Sequence, residues 1–252
     1  MLPDKKKYSE MTKKASPPSP KAKDFVWAYI VGGAICVIGQ LFTELYTSLE
    51  LSEKVVKMAA ILGKDADASM YERWFQKVKE AINRELWDEN LGYYINYKSP
   101  EHTERNLSID TVFACIFGIA DDEKAIRMLK NMELLLESRN NPAVKCKDFG
   151  VMSVYPFYVG EKAACNKSTQ PYNYHNGANW PYLSAMYAYA KRKYNMEYKH
   201  ALESWFEYNI DKGNYTPIEY FSPLCEDGSL LQAWSSAAAF VLDEKLSLDF
   251  WD

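Results

Sequence analysis

From Glu44 onward, apolar side chains recur every three or four residues, the spacing that collects them on one face of a helix. Leu45, Leu49, Val56 and Ala60 form one stripe; Tyr71, Trp74, Phe75, Val78 and Ile82 form a second. Gly63 is placed to end the first helix, and Asp65 or Asp67 to cap the next. Trp87-Asp-Glu-Asn-Leu-Gly-Tyr-Tyr-Ile-Asn-Tyr97 reads as a turn and a short strand. The same periodicity predicts further helices at about 107–118, 122–138, 179–194, 196–211 and 230–245. Ser229-x-x-Gln232 is a capping-box signature for the last of these, and Pro181 suits a first helical turn. Residues 139–177 are long, polar and irregular, and such loops in compact domains are often functional. The pattern predicts an all-α domain of helix hairpins, with short strands confined to residues 92–97.

Ahead of this region the pattern changes. Phe25 to Phe42 is apolar throughout except for Gln40. As a helix it would be about 27 Å long, close to the thickness of a bilayer core. Gly32, Gly33 and Gly39 suit a membrane helix better than a soluble one. The alternative is a buried soluble helix. Residues 1–24 carry seven Lys against Asp4, Glu10 and Asp24, with Ser16-Pro-Pro-Ser-Pro20 inside them. That composition predicts a flexible basic arm, which would stay on the cytoplasmic side if the next segment spans a membrane. No Ala-x-Ala site follows the apolar run, which argues against a signal peptide. The chain therefore divides into an arm at 1–24, an apolar helix at 25–42 and a helical domain at 43–252. Its location is at a membrane through 25–42, or otherwise cytoplasmic.

Charge narrows the partners. The net charge of −4 is the sum of a basic arm and an acidic remainder, and it argues against nucleic acid. Five cysteines without C-x-x-C spacing give neither a disulfide framework nor a zinc site. No P-loop, dinucleotide-binding or His-Glu-x-x-His pattern occurs, so no cofactor or metal is expected. Nineteen Tyr and seven Trp do suit sugar binding, because such rings stack on the apolar faces of sugars while their polar tips bond hydroxyls. Composition alone favours ordinary core packing for these rings over sugar binding.

Two motifs carry candidate chemistry. One is Tyr174-His175-Asn176-Gly177-Ala178-Asn179-Trp180-Pro181. The other is Thr216-Pro-Ile-Glu219-Tyr-Phe-Ser-Pro-Leu-Cys-Glu-Asp-Gly228, followed by Gln232-Ala-Trp234-Ser-Ser. The second sets a carboxylate in a Pro/Gly-rich loop with an aromatic segment behind it. Together they resemble the C-terminal half of helical-barrel glycoside hydrolases: mannosylglycerate-hydrolase-like enzymes, glycoside hydrolase family 63 and bacterial glycogen-debranching enzymes. The resemblance covers about 210 residues, from about residue 44 to the end. It implies a partial (α/α)6 toroid, since too few helices are predicted for a complete barrel.

The resemblance also implies roles. Glu219 would be the catalytic base of an inverting hydrolysis of α-linked sugars. His175 and Asn176 would contact sugar hydroxyls, Gly177 would let the backbone approach closely, and Trp180 and Trp234 would stack on sugar rings. His175 also has a structural reading, and both tryptophans are equally plausible in a core. Asp148, before Phe149-Gly150, lies in a segment that often contacts substrate. The ligand would be an oligosaccharide or a small glycoside. Leu224-Cys-Glu-Asp-Gly228 is one residue longer than the usual spacing, which could alter the loop behind Glu219.

The general acid is missing from this pattern. In such enzymes it is an Asp far upstream, where this chain offers only Asp4 and Asp24. Neither of these has the right surroundings; Asp110 reads as part of a later helix and Asp148 as a loop residue, so neither is assigned the role, and His102 and His200 read as solvated. Residues 5–42, with Lys13-Lys14-Ala-Ser-Pro-Pro-Ser-Pro-Lys21 and Ile30-Val-Gly-Gly-Ala-Ile-Cys-Val-Ile-Gly-Gln40, resemble instead the start of the stage V sporulation protein AC family. Those are small membrane components of dipicolinate transport. Three readings follow: a glycoside hydrolase lacking its acid, a spore membrane protein, or a carbohydrate-binding remnant without catalysis.

Overall fold

The computed structural model describes residues 53–159, 170–236 and 241. The basic arm, the apolar run at 25–42 and the first helical stripe before Glu53 lie outside them. Among the described residues no helix is long and apolar enough to cross a membrane.

Helix α1 spans Glu53–Ile61 and α2 spans Asp65–Glu85. Gly63, at φ +68°, makes the turn between them, a backbone region open to glycine at little cost. Asp65 and Asp67 lie in the first turn of α2 rather than at its cap, which is Lys64. There they face the positive end of the helix dipole. Strand β1 (Trp87–Asp88) pairs antiparallel with β2 (Tyr93–Tyr94), and β3 (Tyr97–Lys98) with β4 (Thr103–Glu104). Helix α4 spans Asp122–Leu135, and the Asp121 carboxylate caps it by accepting from the Lys124 N–H at 2.8 Å. Helices α5 (Pro181–Lys193) and α6 (Lys199–Asp211) form a second hairpin, with Pro181 in the first turn as expected.

The strands run beyond 92–97, and this corrects the expectation. The predicted helix at 107–118 divides into β5 (Leu107–Ser108), a tight 3-10 turn at Ile109–Val112 and one helical turn, α3 (Phe113–Ile116). Strand β5 pairs with β6, Val154–Tyr155. The physical reason is local burial. Leu107 and Ile109 are both buried while Ser108 and Asp110 between and after them point outward, a period of two. Their backbone groups then need cross-chain partners.

The predicted helix at 230–245 is likewise absent at its start. The Ser229 N–H is turned to the Glu219 carboxylate, Leu231 has φ +62°, and a 3-10 turn occupies Ala233–Ser236. No capping box forms there. Most of 237–252 lies outside the described residues.

The main core gathers Leu107, Ile109, Val112, Met128, Leu129, Met132, Leu136, Tyr187 and Leu202 beneath α4, α5 and α6. A second cluster of Phe149, Met152, Ile218 and Phe221 sits under the two motif loops. Between α4 and α5 lies a buried polar knot that the sequence pattern did not show. The Glu137 carboxylate accepts from Lys191 Nζ at 2.8 Å and from the Tyr187 hydroxyl at 3.0 Å. Its other oxygen accepts from Arg139 Nε at 3.0 Å and Asn140 Nδ2 at 3.1 Å. Glu137, Tyr187 and Lys191 are fully buried. Burial and the neighbouring Glu137 charge raise the Tyr187 pKa well above its ordinary value. Removing one partner leaves a buried charge uncompensated. Glu137→Ala is therefore expected to lower unfolding stability by about 3–5 kcal/mol, measured by urea denaturation. A change within error of wild type would show that water replaces the carboxylate.

Candidate active site

The two motif loops meet because four chain segments lie side by side. Ile109 N–H donates to Ser153 O at 2.8 Å, and Ser153 N–H donates to Ala178 O at 3.0 Å. Asn179 and Phe221 exchange both backbone hydrogen bonds, each at 3.0 Å. The order is thus 107–109, 153–155, 177–179 and 221. Leu107, Ile109, Val154, Ala178 and Phe221 point into the cores.

Glu219 is half-buried on the last segment. Its N–H donates to Ser229 O at 2.9 Å, and Gly228 N–H donates to Tyr220 O at 2.9 Å. The Glu219 carboxylate in turn accepts from the Ser229 N–H at 3.2 Å, which fixes its direction. Gly228 permits this fold-back: a Cβ there would lie 2.6 Å from the Tyr220 ring. The longer loop is tied off by Asp227, which accepts from Ser222 N–H at 3.1 Å and Lys212 Nζ at 2.8 Å.

Beside Glu219 stands an aromatic cluster. The His175 ring stacks on Trp180 at 4.7 Å and 8°, and Trp180 stacks on Tyr220 at 5.3 Å and 28°. Tyr174 meets His175, Trp180 and Tyr220 at 4.0, 5.0 and 5.1 Å. The Trp180 indole N–H donates to Tyr174 O at 3.2 Å. His175 keeps an exposed edge while its face is covered. That covering lowers its pKa, and the charges of Asp110 and Glu219 pull it the other way.

Several expected ligands are used by the protein itself. Asn176 is buried; its Oδ1 accepts from Tyr158 N–H at 2.7 Å and its Nδ2 donates to Tyr158 O at 3.1 Å. It is a clamp between two loops rather than a bare amide. Gly177 has φ +102°, and a Cβ on it would lie 2.4 Å from the Phe157 ring. Its close approach is thus to a phenylalanine. Trp180 is half-buried and packed by three rings. Trp234 is half exposed in the 3-10 turn at 233–236, and among the described residues no ring contact joins it to the cluster. Asp148 points elsewhere: it accepts from the Ser138 hydroxyl at 2.7 Å and lies 2.9 Å from His200 Nε2. With Lys147, Glu203 and Tyr208 these line a separate small hollow against α6. His200 is accordingly half-buried at that pair rather than solvated.

Asp110, read as part of a helix and not assigned as the general acid, lies exposed in the 3-10 turn that follows β5. The period-two alternation at Leu107–Asp110 was the available signal. Among the described residues no group of three His, Cys, Asp or Glu side chains is placed to hold a metal.

The amylo-alpha-1,6-glucosidase family model matches residues 30–241. The chain belongs to this family. The match begins inside the apolar run, ahead of the boundary drawn at residue 43. Among solved structures, the glycoside hydrolase family 63 mannosylglycerate hydrolase of Thermus thermophilus is similar in fold. In its complex with Tris the TM-score is 0.55 at 18% identity, covering 74% of this chain and 41% of that one. Its glucose complex gives 0.55 at 18%, over 74% and 40%. Its complex with Tris and D-glycerate gives 0.53 at 19%, over 73% and 40%. The chain thus spans about two fifths of the length of these structures. No curated protein matches it. None of these similarities is to a sporulation or membrane protein.

The His175 environment makes a signed prediction. Its native pKa is expected below the ordinary value of about 6.5, read from the ring-proton shifts in an NMR titration. Glu219→Gln and Asp110→Asn should each lower it further, because each removes a charge that favours the imidazolium. The neutral ring is preferred in the folded state, so its contribution to stability is present above about pH 6.5 and fades as pH falls below it. A native value above 6.5 that drops on neither substitution would place both carboxylates away from the ring.

Proposed function

We propose that the helical region, residues 43–252, is a glycoside hydrolase domain for α-linked sugars, with Glu219 as the base of an inverting reaction. The observation behind this is the Glu219 carboxylate, held by the Ser229 N–H beside the His175–Trp180–Tyr220 stack. A loop carboxylate fixed beside ring faces is what water activation next to a pyranose requires. In such a step Glu219 takes a proton from water, and the water oxygen attacks the anomeric carbon from the side opposite the leaving oxygen. A second carboxyl group protonates that oxygen.

In this reading the second carboxyl group is lacking. Asp148 is bound to Ser138 and His200, and Asp4 and Asp24 lie outside the described residues. Loss of acid assistance typically costs about 10²–10⁴-fold in rate. His175 and Tyr220 supply the exposed edges of the sugar cleft, while Asn176, Gly177 and Trp180 hold its wall in shape. A neutral oligosaccharide or small glycoside is the ligand.

The test is turnover of aryl α-glycosides and α-linked disaccharides by the purified chain, followed by NMR of the first-formed anomer. Activity should be absent or very low, and any that remains should be inverting and abolished by Glu219→Gln. Rates of about 1–10³ s⁻¹ would show that an acid is present. Retention of configuration would overturn the role of Glu219.

A further inference from the structure

We propose that Asp227, held by Lys212, is a positioning residue for Glu219: it sets the direction of the Glu219 carboxylate by anchoring the segment that returns beside it. This rests on the reading of Glu219 as the candidate base. The two segments lie in direct contact. Ile218 is bridged antiparallel to Leu230, Glu219 N–H donates to Ser229 O at 2.9 Å, and Gly228 N–H donates to Tyr220 O at 2.9 Å. A Cβ on Gly228 would lie 3.0 Å from the Glu219 Cβ. The Ser229 N–H then reaches the Glu219 carboxylate at 3.2 Å. A shift of residues 227–229 therefore moves the donor that aims the carboxylate.

Asp227 is the anchor of that returning segment. Its Oδ1 accepts from Ser222 N–H at 3.1 Å and from Lys212 Nζ at 2.8 Å, and its Oδ2 accepts from Asn214 Nδ2 at 3.4 Å. The Lys212 ammonium also donates to Ser222 O at 3.2 Å. Ser222 and Asp227 are the two ends of the loop, so one cation at the C-terminal cap of α6 grips both. The two side chains are only 32% and 20% exposed, which shields the pair from screening by salt. Hydrogen bonds that carry a charge are also the stronger ones.

The same brace extends to the other motif. The Ser222 hydroxyl donates to Tyr172 O, and Tyr172 N–H donates to Asn176 O at 2.8 Å, next to His175. The end of α6 is thus tied to both loops of the candidate site. Asp227 acts on Glu219 through the Ser229 N–H, two residues along the chain.

The experiment uses two readouts on the full chain. The first is the Ser229 amide signal in proton–nitrogen correlation NMR as pH is raised through the carboxylate range. In the wild type it should follow the ionisation of Glu219, and Glu219→Gln should abolish the response. The second is fluoride release from α-D-glucosyl fluoride. There the water oxygen bonds to the anomeric carbon as the carbon–fluorine bond breaks, fluoride leaves with the electron pair, and Glu219 takes the water proton, so no general acid is needed. Asp227→Ala should abolish the Ser229 response and lower kcat by about tenfold or more with KM little changed. Asp227→Asn and Lys212→Met each keep one arm of the brace and should retain part of both signals. An unchanged Ser229 response and kcat in Asp227→Ala, whatever the change in melting temperature, would make the pair a loop tie alone and overturn the proposal. A wild-type Ser229 amide that does not follow Glu219 would overturn it as well. If circular dichroism shows Asp227→Ala unfolded, unchanged readouts in both milder variants overturn it, and losses in both support it. No fluoride release from the wild type, with the Ser229 response present and lost in Asp227→Ala, would overturn Glu219 as the base and leave its positioning by Asp227 standing.

Discussion

The Glu137 carboxylate is the constraint on which the rest of the described structure depends. It sits one residue beyond the cap of α4, with its backbone bridged to Val151 and its side chain bonded to Tyr187 and Lys191 of α5. One residue thus joins a helix end, an extended segment and a second helix. A buried ion pair repays its desolvation only when its hydrogen bonds are satisfied. Here four side chains donate to two oxygens, and the Lys191 ammonium also lies over the Tyr187 ring at 5.2 Å. The segment it fixes leads directly through Met152 and Ser153 to the pairings that assemble the motif loops.

The site follows from that frame by short backbone steps. Ser153 is the hinge of the arrangement: its carbonyl takes Ile109, its N–H gives to Ala178, and its hydroxyl accepts from Gly177 at 3.0 Å. Beneath it Phe149, Met152, Ile218 and Phe221 form a dry support shared by both loops. The candidate side chains are consequently carried on irregular backbone whose polar groups are paired with neighbouring chain. Function on loops and precision of placement are compatible for this reason.

Much of the fold was legible in the sequence, and the failures have physical causes. Helices α2, α4, α5 and α6 announce themselves by period, and α5 also by Pro181 in its first turn. Glu219 and His175 were singled out because their neighbours form unusual motifs. The β5–β6 pairing was not found, because an apolar run such as Leu107–Ile116 fits a helix until its partner is known. Asn176 and Gly177 were singled out as sugar contacts, and the structure gives them contacts within the chain as well. Their demands come from Tyr158 and Phe157, which no local pattern connects to them. Glu137 and Lys191 stand 54 residues apart, and nothing in either local sequence marks them as a pair.

The Asn176–Tyr158 clamp has a consequence for how such a chain can change. Its two hydrogen bonds close the base of the excursion between residues 158 and 176. The entropic cost of a loop held at its ends grows only slowly with its length. The clamp therefore holds Asn176, and with it the backbone leading to Gly177 and Trp180, by contacts that a change in the number of residues between 158 and 176 leaves in place.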